Sequence, residues 1–249
     1  MSLKISQTPN RVDVILIGFP KCGTTAMHGY FASHPDFNAL LVGDFNCEID
    51  TIGDKVGGDL YRQALLSSQQ CLFHKFSSYI YSVSKLKQLA SLESNRVKLF
   101  IAVYGDPVSR LESWYKFHKN IAMTGKNKKH FAYVERDFYG SCSVEEYYNK
   151  FASSLLRYDE YLGRASSALG ESKLLVCSQD DLRNSSPVVL ARISALLGIP
   201  YLEPQKLIVA NVNRISTKVE IPDHIKKELQ KIHLNSKLAE VEINCRLGL

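Results

Sequence analysis

Along the chain, unbroken apolar runs alternate with stretches of helical spacing. Residues 12–19, Val-Asp-Val-Ile-Leu-Ile-Gly-Phe, are short, β-branched and nearly all apolar, as expected of a strand buried on both faces of a parallel sheet. Pro20 and Gly23 interrupt the run. From Thr24 to Ser33, Met27, Tyr30 and Phe31 recur on one side of a predicted helix, which His34-Pro35 stops. Residues 37–59 show no period and read as loop. Helical spacing returns over 60–68 and 83–94. Residues 96–104 read as a second buried strand, closed by Gly105-Asp106-Pro107 and followed by a helix over 108–120. Ser143-Val144-Glu145-Glu146 has the form of a capping box and predicts one long Tyr-rich helix to 162. Residues 173–178 predict a third strand. Ser186-Pro187 and Gly198 bracket a further helix, and 223–234 predicts the last. Strands alternating with helices argue for an α/β fold in three layers, α/β/α, around a central parallel sheet. No linker or repeat divides the chain, so residues 1–249 are expected as a single domain with 1–11 as a flexible tail.

Composition narrows the classes. With 45% apolar and 22% charged residues in 249, the chain is neither disordered nor fibrous and can build a core without staples. The net charge of +6 favours an anionic ligand. No basic stripe with interleaved aromatics points to nucleic acid. No apolar run approaches the roughly 18 residues of a membrane span, and residues 1–10 lack the apolar core of a secretory signal. The six cysteines form no C-x-x-C pair, so reduced thiols are expected, with neither a metal site nor a disulfide framework. These features predict a cytoplasmic protein; the alternative is the soluble catalytic part of a lumenal enzyme.

Chemistry concentrates in Gly18-Phe19-Pro20-Lys21-Cys22-Gly23-Thr24-Thr25, between the first strand and first helix. At a helix start the first N–H groups lack internal partners, and the helix dipole adds partial positive charge. Lys21 contributes a full charge, and Thr24 and Thr25 contribute hydroxyl donors, so the loop is an anion cradle. It departs from the ATP-binding G-x-x-x-x-G-K-[ST] loop, because the lysine precedes the second glycine by two residues. That weakens a reading as a nucleotide kinase or hydrolase, which stays open as an alternative.

Pro20-Lys21-Cys22-Gly23-Thr24-Thr25 resembles the P-K-[ST]-G-T-T loop of sulfotransferases that use 3′-phosphoadenosine 5′-phosphosulfate (PAPS), where it holds the 5′-phosphosulfate. The resemblance is nearest to the carbohydrate, heparan-sulfate-type branch. Residues 104–115 are similar to that family's second signature, R-[DN]-P-x-x-R-x-x-S-x-[YW], with Asp106, Pro107, Arg110, Ser113 and Tyr115 matching. There the first Arg and the Ser grip the 3′-phosphate. Gly105 occupies the Arg position, which removes a bidentate cation, and Lys116, Arg214 and Lys218 are candidates to replace it. His74-Lys75-Phe76-Ser77-Ser78-Tyr79 is similar to an E-K-[ST]-P-x-Y stretch whose lysine lies near the reacting sulfate. Residues 178–200 resemble a mostly structural Y-E-D-L to F-L-G-[IL]-P region.

The resemblance implies a P-loop-like sulfotransferase with PAPS as donor, 3′,5′-adenosine bisphosphate (PAP) as product and no required metal. The acceptor would be a hydroxyl or amine of a small molecule or glycan. The expected catalytic residues are Lys21, Glu48 and Lys75. The expected nucleotide contacts are Lys21, Cys22, Gly23, Thr24, Thr25, Arg110 and Ser113. For the acceptor's proton, Glu48 is the favoured base, Asp44 the second choice and His74 an alternative. A non-catalytic relative that binds PAP is a further reading, motivated by Gly105. The tyrosines of 133–161 read either as an acceptor pocket or as packing.

Overall fold

The apolar run at the start of the chain becomes the middle strand of the sheet. The computed structural model describes residues 12–40, 50, 52–53, 55–67, 71–91, 97–125, 134–170, 173–203 and 219–248. Strands β1 (Val12–Gly18), β2 (Phe37–Ala39), β3 (Cys71–Lys75), β4 (Val97–Tyr104) and β5 (Lys173–Ser178) pair in parallel in the order β2-β3-β1-β4-β5. β1 is flanked on both sides, which is why it carries no polar alternation. Val14, Ile15, Leu16 and Ile17 are fully buried, each worth roughly 1.5–3 kcal/mol of transfer free energy.

Helices cover both faces. On one face Phe73 of β3 stacks on Phe31 of α1 (Thr24–Ser33) with ring centroids 4.5 Å apart. On the other, Tyr61 of α2 (Lys55–Ser67) packs on His74 at 5.0 Å and donates to the buried Asp13 carboxylate at 2.9 Å. The expected three-layer α/β/α architecture is therefore present. After α3 (Val83–Ser91) and α4 (Pro107–Thr124), the chain runs through α5 (Arg136–Ser141), α6 (Val144–Tyr147), a π-helical segment (Tyr148–Ala152), α7 (Ser153–Leu155) and α8 (Tyr158–Leu169). It closes with α9 (Gln179–Asn184), α10 (Ser186–Leu197) and α11 (Asp223–Cys245). The edge of β5 is covered by Asn244 of α11, whose side chain pairs with the N–H and C=O of Val176 at 3.0 and 2.8 Å.

Three sequence expectations are corrected. The aperiodic stretch contains β2, and β3 was not foreseen, because strands of three and five residues carry too little pattern to register. The last helix continues past 234 to Cys245, since Ser236 and Ile243 extend the buried face and no Gly or Pro intervenes. The Tyr-rich helix is broken at Arg157, whose ψ of 67° leaves the helical region. Its predicted capping box does form, with Ser143 and Glu146 capping reciprocally.

The topology positions the site. The chain leaves β1 toward the β2 edge and leaves β4 toward the β5 edge. A crevice therefore opens at the carboxyl ends of these two neighbouring strands, where ligands bind in doubly wound sheets.

Candidate functional site

The loop after β1 is bent by two left-handed residues, Lys21 (φ 67°) and Gly23 (φ 89°). Gly23 suits this conformation and serves as N-cap of α1, its carbonyl accepting from Ala26 and Met27. Lys21 does not suit it. A non-glycine residue held there marks a place where the side chain is wanted despite the conformation. The Cys22 N–H closes the turn on the Phe19 carbonyl at 3.2 Å, and its side chain is fully buried with Sγ 3.7 Å from the Tyr158 hydroxyl. Burial pushes the Cys22 thiol above its ordinary pKa. The Cys22 side chain thus packs the floor of the loop. Gly23, Thr24 and Thr25 stand at the helix start, where N–H groups have no intrahelical acceptor.

Beneath this floor lies Arg110, 2% exposed. Its guanidinium donates to the Leu155 carbonyl at 3.2 Å and to the Tyr81 hydroxyl, and stacks 4.0 Å from the Trp114 ring centroid and 5.0 Å from that of Tyr158. The helix break at Arg157 makes this possible: it ends α7 so that the Leu155 carbonyl is free to accept, and it turns Tyr158 under Phe19 at 4.6 Å. Arg110 is expected to touch the nucleotide; here both of its Nη groups are engaged by protein, while its buried Nε has no hydrogen-bond partner among the described residues. Its charge still sits under the loop.

Asp106 and Pro107 start α4: the Asp106 side chain accepts from the N–H groups of Val108 and Ser109, and Pro107 fills the first turn. This sets the helix so that Ser113 and Phe117, one turn apart, face the loop side with Arg110 and Trp114. The Lys21 ammonium lies 4.7 Å from the Phe117 ring centroid. Burial draws the Lys21 pKa below its ordinary value, opposed by Cys22. Burial also pushes His118 down to about 4, aided by the Lys21 charge, while its Nδ1 pairs with the Tyr147 hydroxyl at 2.8 Å.

The remaining sequence-predicted residues are scattered. Lys75 is fully buried on the α1 side of the sheet, level with Leu16. Burial, then the Lys75 charge, takes His28 down to about 4. His74 points to the α2 side, and burial lowers it to about 3, so this alternative base is not brought to the loop. Lys116 is engaged by Glu112 at 2.7 Å on the α4 surface. Glu48, Asp44, Arg214, Lys218 and Tyr133 lie outside the described residues. Tyr139, Tyr147, Tyr148 and Tyr158 are buried as packing residues, while Tyr161 is half-buried against Phe19 and Tyr81.

One residue at the crevice went unnoticed. Gln179 follows directly on β5, and its side chain reaches both glycine corners. A β-carbon at Gly23 would stand 3.5 Å from its Nε2, and one at Gly105 would stand 2.9 Å from its Oε1. The signal was available, since the first residue after a parallel strand lies on the ligand edge of the sheet. Phe117 and His118 were equally legible as the next turn after Ser113. Among the described residues, no three His, Cys, Asp or Glu side chains gather as metal ligands, and no helix is long and apolar enough to cross a membrane.

Comparison with known proteins adds to this geometry. A family model described as Sulfotransferase domain matches residues 11–231. The bifunctional heparan sulfate N-deacetylase/N-sulfotransferase 1 of Caenorhabditis elegans is 25% identical over 197 residues, covering 76% of this chain. The match spans only 22% of that protein's length. Among solved structures, a sulfotransferase from Alicyclobacillus acidocaldarius has a TM-score of 0.61 at 15% identity, covering 94% of this chain and 96% of its own. The sulfotransferase domain from the curacin biosynthetic pathway has 0.52 at 16% identity, covering 92% and 98%. That of the Synechococcus PCC 7002 olefin synthase has 0.51 at 18% identity, covering 94% of each. These likenesses speak to the fold.

Proposed function

The chain belongs to the sulfotransferase domain family, and from that premise we propose that it moves a sulfuryl group from PAPS to a hydroxyl or amine of an acceptor. One observation carries the reading: a lysine held in a left-handed conformation beside the start of α1, at the crevice between β1 and β4. A lysine there faces an anion cradled by the N–H groups of Gly23, Thr24 and Thr25. In the transfer, the bond from sulfur to the 5′-phosphate oxygen breaks as the bond to the acceptor atom forms. Negative charge grows on the leaving oxygen, and Lys21 neutralises it. The half-buried state of Lys21 supports this role, because a partly desolvated cation gains more from an arriving anion than a hydrated one. Arg110 adds its charge from below without contact. Ser113, on the same face of α4 as Phe117, serves the 3′-phosphate side, and the fully buried Lys75 adds only its charge from the α1 side, without contact.

The acceptor's proton passes to Glu48. Lysine and backbone amides supply the charge stabilisation, so the scheme requires no metal. A glycan acceptor is favoured, because the curated relative is named for heparan sulfate N-sulfation.

Binding and transfer test the reading separately. PAP is expected to raise the melting temperature, as a ligand that binds only the folded state must, and labelled PAPS to pass its label to a member of a pooled set of glycans, phenols, steroids and lipids. Stabilisation by ATP with Mg²⁺ but not by PAP would replace this reading with the kinase or hydrolase one. PAP binding without label transfer would leave a nucleotide-binding relative.

A further inference from the structure

We infer that Phe117 is a positioning residue for Lys21: its ring face backs the ammonium from the α4 side and holds it at the crevice where the donor's anion is bound; this rests on the PAPS reading above. A lysine carries its charge on a flexible four-carbon stem, and the charge is of most use to a reaction when it is held in place beforehand. The left-handed φ of Lys21 fixes where the stem starts but not where it ends. Across the crevice, α4 presents Arg110, Trp114 and Phe117 at i, i+4 and i+7, along one face. Two cations rest on that face, and they are held differently. The Arg110 guanidinium lies 4.0 Å from the Trp114 ring centroid, is 2% exposed and gives both Nη groups to protein acceptors. The Lys21 ammonium lies 4.7 Å from the Phe117 ring centroid and is half-buried, and no carboxylate is recorded beside it among the described residues. A ring face attracts a cation without a countercharge, so the ammonium keeps both its charge and its remaining donors for an arriving anion. A carboxylate in the same place would hold Lys21 but would also repel the donor. The ring itself is fixed, since it is half-buried and packs against the main core on a helix capped by Asp106.

The test replaces Phe117 in the full chain by phenylalanine carrying one, two or three ring fluorines, which draw negative charge from the ring face and keep its shape. A role in packing alone would not respond to this series. The first readout is the proton affinity of Lys21, titrated by NMR on side-chain-labelled lysine without nucleotide, the signal being assigned by its loss in Lys21→Gly. The titratable neighbours Cys22 and His118 are common to every member of the series. Proton affinity is expected to fall with each fluorine, by roughly threefold for the trifluorinated ring. The second readout is label transfer from saturating PAPS to the pooled acceptors. It is expected to fall in step, again by roughly threefold, and to ignore fluorine in the Lys21→Gly background. A flat titration, or a transfer rate indifferent to fluorine, overturns the inference. The same fluorine dependence in Lys21→Gly also overturns it, because the ring then acts on something other than this lysine; the PAPS reading survives all three results. A wild-type protein that transfers no label overturns the PAPS reading and the ring's part in it, and the nucleotide-free titration keeps that failure distinct from a failure of the contact.

Discussion

The ammonium of Lys21 rests over the face of Phe117, 4.7 Å from its ring centroid. This contact joins the loop after β1 to the helix after β4 across the crevice that separates them. It also holds a partly desolvated cation over an apolar surface, where no carboxylate is recorded beside it among the described residues. Phe117 is one helical turn beyond Ser113, so the position of the cation is set by the same α4 face that the second signature builds.

Lys21→Gly separates chemistry from folding. The left-handed conformation of Lys21 costs about 1–2 kcal/mol for a residue with a β-carbon, and glycine relieves it. The variant is expected to melt at the wild-type temperature or above it. Transfer from labelled PAPS should fall on the order of a hundredfold or more. Near-normal turnover in a well-folded Lys21→Gly protein would remove this lysine from the mechanism.

Arg110 is expected to act as scaffold. Lysine at this position keeps the charge but not the fork that serves the Leu155 carbonyl and Tyr81 hydroxyl, nor the planar stack on Trp114. Arg110→Lys should lower the urea midpoint by the equivalent of roughly 2–3 kcal/mol, and Arg110→Ala by more, because a cavity is added. An Arg110→Lys protein as stable as wild type, but unable to bind PAP, would return Arg110 to the ligand side.

Acid stability should depend on His74. Burial holds its folded pKa at about 3, below the ordinary 6.5, and neither ring nitrogen has a hydrogen-bond partner among the described residues. A folded value below the unfolded one means that stability is fully present above pH 6.5 and is lost as pH falls toward 3. At pH 5 the loss from this one group is roughly 2 kcal/mol. His28 and His118, at about 4, act in the same direction. Melting curves from pH 7.5 to 5 should be flatter for His74→Leu than for wild type, and an identical pH slope would contradict the assignment.

Much of the architecture was legible because it depends on local period. The eight-residue run of β4, the caps at Asp106, Ser143 and Gly198, and the loop before α1 all follow from neighbouring residues. The short strands β2 and β3 escaped, since only pairing with β1 and with each other makes them strands. The Tyr-rich helix was misjudged for a related reason. Its residues suit a continuous helix, and the break at Arg157 is sustained by partners far away in sequence, namely Arg110, Tyr81 and Phe19.

The sequence by itself determined the α/β class and the family, because strand burial, helix spacing and the Pro20–Thr25 hexapeptide are written in adjacent residues. Only the tertiary structure decided which side chains face the crevice. Arg110 and Cys22 carry the right chemistry in the right motifs, yet they turn inward, where aromatic rings and a freed carbonyl hold them. Gln179 stands in a stretch that reads as structural, yet the parallel pairing of β4 with β5 sets it beside Gly105. Which way a side chain turns is settled by the volume and hydrogen-bond partners that distant segments leave to it, and those exist only once the chain has packed.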